Sequence, residues 1–403
     1  MIIRNKIIVF LSLLLAVIPA FTVSGCAFTA RDTGPEADAA GNPGSSASDV
    51  TQTEETEETE ETESVSGGKY AYQTLDDETM QVYEEIVYSI SNREDVTVST
   101  TDESVMELAY TAVRYDYCDF FWVDQLRFVQ YSKGDEVTSL EITPTWSMTE
   151  EEQEEIRLQI EAEADRMLAD APTNGSDFEK ALYVYETLIR EVDYNENAEN
   201  SQNIISVFLN HETVCQGYAY ATQYLLEKLG VDCTTVIGSA DGQTHAWNLV
   251  VMDGQYYYID TTWGNTQFIY RNETGEELSE DDILRLEYLN YDYFGVTTET
   301  LLQTHEPDSA ITLPTCTATA DNYYVHEGLY VDTWDADTIG GIIQDRYERG
   351  EEIVRIRFSD MGLYSQAEQY FLNDGHLFDY CDELQSMRYL KDSDSTVMVL
   401  VFP

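Results

Sequence analysis

Basic residues are scarce. The 403-residue chain carries 21 Lys and Arg against 77 Asp and Glu, a formal net charge of −56. Phosphate binding needs clustered Lys and Arg, so nucleic acid is excluded as a partner, and flat adhesion to anionic lipid is disfavoured. The acidic excess reads as a solvated, self-repelling surface; a preference for basic substrates stays open. Histidine is rare too. His211, His245, His305, His326 and His376 are all there are, so imidazole chemistry has few candidates. The N-terminal apolar run, Ile7 to Ile18, is short of the roughly 20 residues that a membrane span needs. No Walker loop, GxGxxG or EF-hand loop occurs, and "DADT" and "DSDS" lack the Gly and terminal Glu of a calcium loop. No His/Cys cluster offers a metal site, and neither metal nor cofactor is expected. No repeat period is evident. Cys118, Cys233, Cys316 and Cys381 show no close framework spacing. They are expected to be mostly free, buried thiols, although two disulfides would suit an exported chain.

What is present begins with an export signal. Arg4 and Lys6 precede the apolar run, which leads to "VSGC", Val23 to Cys26. This resembles a bacterial lipobox, and the resemblance implies a lipid on Cys26 at the start of the mature chain. Such an anchor would hold the protein extracytoplasmically, on the outer face of the membrane and not through it. An ordinary signal peptide with a chance cysteine is the alternative. "TQTEETEETEETES" and its surroundings are poor in large apolar residues and read as a disordered tether. Five regions are predicted: a signal at 1–25, a tether at 26–69, an N-terminal α+β module at 70–148, a central domain at 149–310 with its core at 170–265, and a C-terminal α+β domain at 311–403.

In the central region Ser176 and Glu179 make a capping box. Phe178, Ala181, Leu182, Tyr185, Leu188, Ile189 and Val192 then form one helical apolar stripe. In "HETVCQGYAYATQYLLEKLG", Ala219, Thr222, Leu225, Leu226 and Leu229 keep helical spacing, and Gly230 suits the position after a helix. Cys215 is thus placed at a helix N-terminus, where unpaired N–H groups and the macrodipole favour an anion such as a thiolate. Gly217 would let another segment approach closely. His211 reads as a surface histidine.

A thiol nucleophile needs a base. "THAWNLVVMDGQYYYIDTTWG" contains Asp253-Gly254, a strong two-residue hairpin signal. With that turn Met252 opposes Gln255, Trp247 opposes Asp260, and His245 opposes Thr262. His245 and Asp260 then lie on one face as diagonal neighbours, about 7–8 Å apart at the backbone. The hairpin would offer an imidazole with a carboxylate beside it, which fixes the ring tautomer and stabilises imidazolium.

The stretch "VCQGYAYATQYLLEKLGVDCTTVIG…HAWNLVVMDGQYYYIDTTW" resembles the transglutaminase-like superfamily, most specifically over about residues 170–265. The resemblance implies an α+β, papain-like core, with a Cys-bearing helix on an antiparallel sheet, and a Cys215–His245–Asp260 triad. It implies acyl transfer through a thioester on a peptide, isopeptide or carboxamide bond, with hydrolysis favoured over cross-linking. The substrate would be a protein or peptide, possibly associated with the cell wall. Trp247, Tyr218 and Trp263 could wall the cleft, or be plain core. Gly264-Asn265 stands where relatives often carry an acidic residue. A non-catalytic surface lipoprotein on the same fold is the alternative.

Overall fold

A computed structural model describes residues 3–8, 69–265, 289–381, 383–390 and 396–402. Cys26, the tether and most of the predicted signal lie outside the described residues. Within that signal, Ile3–Ile8 forms a strand, β1, paired antiparallel with the strand Val123–Lys133.

The N-terminal part is built from local signals. α1 (Tyr70–Gln73) is followed by α2 (Asp77–Asn92), where Asp76 caps the Thr79 N–H and Val82, Tyr83, Ile86 and Ile90 face inward. After β2 (Val96–Thr97) comes α3 (Glu103–Asp116), capped by Asp102. β3 (Val123–Lys133) and β4 (Glu136–Trp146) form a hairpin, with Gly134 at φ +69° in the turn. The sheet order is β1-β3-β4-β2.

The central part opens with α4 (Glu150–Met167) and α5 (Asp177–Glu191), each begun by a capping box, Thr149/Glu152 and Ser176/Glu179. α5 buries Phe178, Ala181, Val184, Tyr185 and Leu188. Burying a large apolar side chain is worth about 1.5–3 kcal/mol, so this one stripe anchors the helix. β5 (Asp193–Tyr194), α6 (Ile204–Asn210) and β6 (Glu212–Thr213) lead into α7 (Cys215–Lys228). α7 packs on an antiparallel sheet ordered β10-β9-β8-β7-β11, made of β7 (Cys233–Ala240), β8 (Gln243–Met252), β9 (Gln255–Ile259), β10 (Phe294–Val296) and β11 (His305–Pro307). Asp253 and Gly254 at the β8–β9 turn have φ +48° and +81°. Positive φ at both positions is the type I′ geometry that the Asp-Gly pair favours.

A buried carboxylate ties the N-terminal part to this core. Asp116 accepts from the Ala71 and Tyr72 N–H groups and the Tyr83 hydroxyl, each at 2.9 Å, and from Thr234 Oγ1 on β7 at 3.3 Å. The C-terminal part holds β12 (Tyr330–Val331), β13 (Ile353–Phe358), β14 (Arg388–Leu390) and β15 (Val397–Val401), ordered β12-β13-β15-β14, with helices at Ala336–Glu348 and Met361–Ala367. The fold class is α+β with a helix-on-antiparallel-sheet core. Among the described residues, no helix is long and apolar enough to cross a membrane.

Candidate active site

Cys215 is the first residue of α7, and Val214 before it offers no side-chain cap. The first-turn N–H groups are therefore left for an acceptor outside the helix. The chain before the helix presses close. A Cβ on Gly217 would stand 1.9 Å from Thr213 Oγ1 and 3.2 Å from the Ser201 carbonyl oxygen. The expected close approach is met, and glycine is the residue that fits. Three further contacts set the helix on its neighbours. Asn248 Nδ2 of β8 donates to the Ala219 carbonyl at 2.9 Å. Thr222 and Thr261 share a hydroxyl hydrogen bond of 2.8 Å. Gln223 Oε1 accepts from the Thr235 N–H at 3.1 Å and its hydroxyl at 2.9 Å.

β8 carries His245 and the β8–β9 hairpin carries Asp260. The observed pairs run from Met252↔Gln255 to Asn248↔Ile259, in the predicted register. The predicted pairing beyond that point does not form. β9 stops at Ile259, Asp260 becomes the N-cap of a short helix, α8 (Thr261–Gly264), and Thr262 is helical and not opposite His245. Asp260 Oδ1 accepts from the Thr262 N–H at 2.9 Å and the Trp263 N–H at 3.1 Å. This cap turns Oδ2 to the imidazole, and His245 Nε2 lies 2.8 Å from it. Cys215 is a near neighbour of the ring, and its thiol contributes to the rise of the His245 pKa.

The electrostatics follow from burial and pairing. Burial by itself would lower the His245 pKa. The Asp260 charge, the hydrogen bond to it and the Cys215 thiol outweigh that and hold it up at about 10. Burial would raise the Asp260 pKa, but the His245 charge and the hydrogen bonds from His245 and His305 keep it well below the usual carboxylate range.

His305 was not singled out by the sequence pattern. It lies on the edge strand β11, fully buried, with Nε2 at 3.0 Å from the same Asp260 Oδ2. Its Nδ1 is 2.8 Å from Thr304 Oγ1, which is 2.9 Å from the Tyr293 hydroxyl. Tyr194 is a second unforeseen neighbour. Burial raises its phenol pKa, and the charges of Cys215 and Asp260 add to the shift.

The three aromatic candidates separate. Trp263 is half-buried and sits beside the site, its ring 4.9 Å from His305 and 6.2 Å from His245. Trp247 is buried beneath the two histidines, 4.9 Å from His305. Tyr218 is sealed in the core, where its hydroxyl donates to the Val192 carbonyl and accepts from Asn265 Nδ2. Neither Trp247 nor Tyr218 faces a cleft, which corrects the expectation for both. Gly264 has no room for a side chain, since a Cβ would meet the Tyr185 hydroxyl at 2.2 Å. With Asn265 engaged inside, these two positions serve packing. His211 is exposed at the end of α6, as expected.

Cys118, Cys215, Cys233, Cys316 and Cys381 are all free thiols, and only Cys215 and Cys233 are not fully buried. The fold does assemble one group of metal-ligand type that the sequence did not show. Donor atoms of His245, Asp260 and His305 lie within 4.8 Å of one another. Two imidazoles and a carboxylate suit a divalent transition metal, yet both Nε2 atoms already face the same Oδ2 at hydrogen-bond distance.

Residues 164–261 match the transglutaminase-like superfamily, and Cys215, His245 and Asp260 all fall inside that span. These residues therefore form a transglutaminase-like core. It is 27% identical over 107 residues to kyphoscoliosis peptidase of Mus musculus and 26% identical over 107 residues to that of Homo sapiens. Each match covers 22% of this chain and spans only 16% of the relative. A solved TGase structure is similar at 14% identity and a TM-score of 0.26, covering 39% of this chain and 47% of that one.

Proposed function

We propose that the chain is a thiol acyl-transfer enzyme that hydrolyses a peptide, isopeptide or carboxamide bond of a protein or peptide substrate. The observation that carries this reading is His245, buried and bonded through Nε2 to Asp260, with the Cys215 thiol near enough to help raise its pKa. A buried imidazole with a carboxylate bonded to it and a thiol nearby suits nucleophilic catalysis.

Cys215 reacts as the thiolate of a pair with the His245 imidazolium, which Asp260 stabilises. Sγ attacks the carbonyl carbon, and the carbonyl π pair moves to oxygen. The Cys215 backbone N–H, at the uncapped start of α7, is a donor for that oxyanion. When the oxyanion collapses, the C–N bond breaks and the imidazolium gives its proton to the leaving amine, leaving a thioester. Water, deprotonated by His245, attacks the thioester, and the acid leaves as the thiol is restored. An amine in place of water would give transamidation. Trp263 borders the place where an acyl group would lie. We further propose a lipid on Cys26 that holds the protein on the outer face of the cell membrane, where cell-wall peptides or surface proteins are within reach.

The test is a glutamine-containing peptide library incubated with the protein and analysed by mass spectrometry. An acyl adduct on Cys215, absent from Cys215→Ala, is expected. Turnover that persists in Cys215→Ala would refute the reading.

A further inference from the structure

We propose that His305 is a positioning residue for Asp260, held in its neutral Nε2–H form by Thr304 and Tyr293. The proposal rests on the reading of Cys215 and His245 as nucleophile and base.

Asp260 Oδ2 faces two imidazoles, His245 at 2.8 Å and His305 at 3.0 Å. Oδ1 is occupied by the Thr262 and Trp263 N–H groups. An ionised carboxylate has about four acceptor sites, so these four contacts fix it in both rotation and tilt. His305 supplies the contact that no backbone group provides. Both His305 and Asp260 are buried.

Two sets of hydrogen-bond directions are self-consistent here, one with a neutral His305 and one with it doubly protonated; in the neutral one the Tyr293 hydroxyl donates to Thr304 Oγ1, and the Thr304 hydroxyl donates to His305 Nδ1. Nδ1 is then an acceptor, so the ring proton sits on Nε2 and points at Asp260 Oδ2. A neutral donor holds the carboxylate without bringing a second positive charge. A charged His305 would compete with His245 for the same oxygen and weaken the imidazolium next to Cys215.

The fold builds this contact deliberately from distant chain. β11 pairs with β7 through His305↔Ala240, Glu306↔Ser239 and Pro307↔Gly238. A Cβ on Gly238 would stand 2.3 Å from the Glu306 carbonyl oxygen and 2.8 Å from Pro307 Cα. Glycine there lets β11 close on the sheet and carry His305 to Asp260.

The test needs no substrate. Imidazole nitrogen NMR near neutral pH on the unaltered full chain should show His305 as the Nε2–H tautomer, with its proton shifted by Asp260→Asn. An Nδ1–H tautomer would overturn the proposal. The second arm measures iodoacetamide alkylation of Cys215 at about pH 6, below the range where ordinary thiols ionise. His305→Phe should slow it roughly tenfold, with little change at high pH, where the thiol ionises unaided. His305→Gln, which keeps an amide N–H near the Nε2 position, should stay within about threefold. The buried thiols report folding in each variant. Unchanged alkylation at about pH 6 in folded His305→Phe would overturn the proposal. A Cys215 no more reactive there than Cys316 in the unaltered protein would instead overturn the thiol reading, and the positioning role with it, while the tautomer result still reports the hydrogen bond.

Discussion

His245 Nε2 stands 2.8 Å from Asp260 Oδ2, although 15 residues and a turn separate them along the chain. Two features of the hairpin bring this about. The Asp253-Gly254 turn sets the β8–β9 register. Asp260 then leaves the strand to cap α8, which directs one oxygen down the helix and the other across to the imidazole.

That double duty makes Asp260→Asn informative. Asn is as good an N-cap as Asp, so α8 should survive. The amide, however, cannot carry the charge that supports imidazolium, and its NH2 would meet ring N–H groups if it faced the histidines. Turnover on a peptide identified by adduct trapping should fall by roughly 10²–10⁴, by analogy with other triads. His245→Ala should be at least as damaging, and the double variant no worse than the worse single one. Full activity in Asp260→Asn would refute the assignment.

Thiol reactivity should rank with environment. Burial drives the Cys118 and Cys233 pKa values well up, with the Glu227 charge adding to both, and pushes Cys316 up to about 11. Cys381 is buried. Cys215 is partly accessible, at a helix N-terminus and beside an imidazole. Peptide mapping after brief alkylation near neutral pH should therefore find label on Cys215 first. Label appearing there last would contradict the proposed nucleophile.

Much of this site could be read from local sequence because local rules produce it. The capping box at Ser176, the start of α7 at Cys215 and the Asp-Gly turn each depend on a few adjacent residues. The hairpin register carried His245 and Asp260 to the same place. Its continuation failed at Asp260, where helix capping competes with strand pairing and wins. His305 was hidden for a different reason. It reaches Asp260 only through β11–β7 pairing between residues 65 to 69 positions apart, and no periodicity announces such a contact. The aromatic side chains stayed open between cleft and core because sequence pattern does not tell a core ring from a cleft ring. Tyr218 is packed inside by its bonds to Val192 and Asn265.

Gly217→Ala should disturb the nucleophile's helix from the outside. The new methyl would overlap Thr213 Oγ1, itself bonded to Ser201 and Ser206, so neither neighbour yields easily. A loss of about 1–3 kcal/mol is expected from overpacking, read as a lower urea midpoint, with slower Cys215 alkylation. Gly217→Ala combined with Thr213→Ser should not recover stability, since the hydroxyl stays; Thr213→Ala with Gly217→Ala should recover part of it.

The proposed anchor predicts a mature N-terminus at lipid-modified Cys26 and partition with membranes. Cys26→Ser should release the protein or stall its processing. Mass spectrometry that found residues before Cys26 on the mature chain would refute the lipid assignment.

The ion pair also predicts how stability depends on pH. The folded state holds the His245 proton up to about 10, above the unfolded imidazole value of about 6.5. Its contribution is therefore complete below about pH 6.5 and is lost as pH rises through the folded value. The folded Asp260 pKa is depressed instead. Its contribution is complete above the unfolded value of about 3.9 and is lost as pH falls below it. Together the two place the full benefit between roughly pH 4 and pH 6.5. The urea midpoint of the unaltered protein, compared with that of Asp260→Asn, should show its largest gap in that window. The gap should narrow on the alkaline side as the imidazolium gives up its proton, and on the acid side as the carboxylate takes one. Titrating groups away from this site move both proteins alike, so the difference reports Asp260 with the two histidines that face it. A gap that stays flat from about pH 7 to about pH 10 would mean that His245 is neutral in the folded protein.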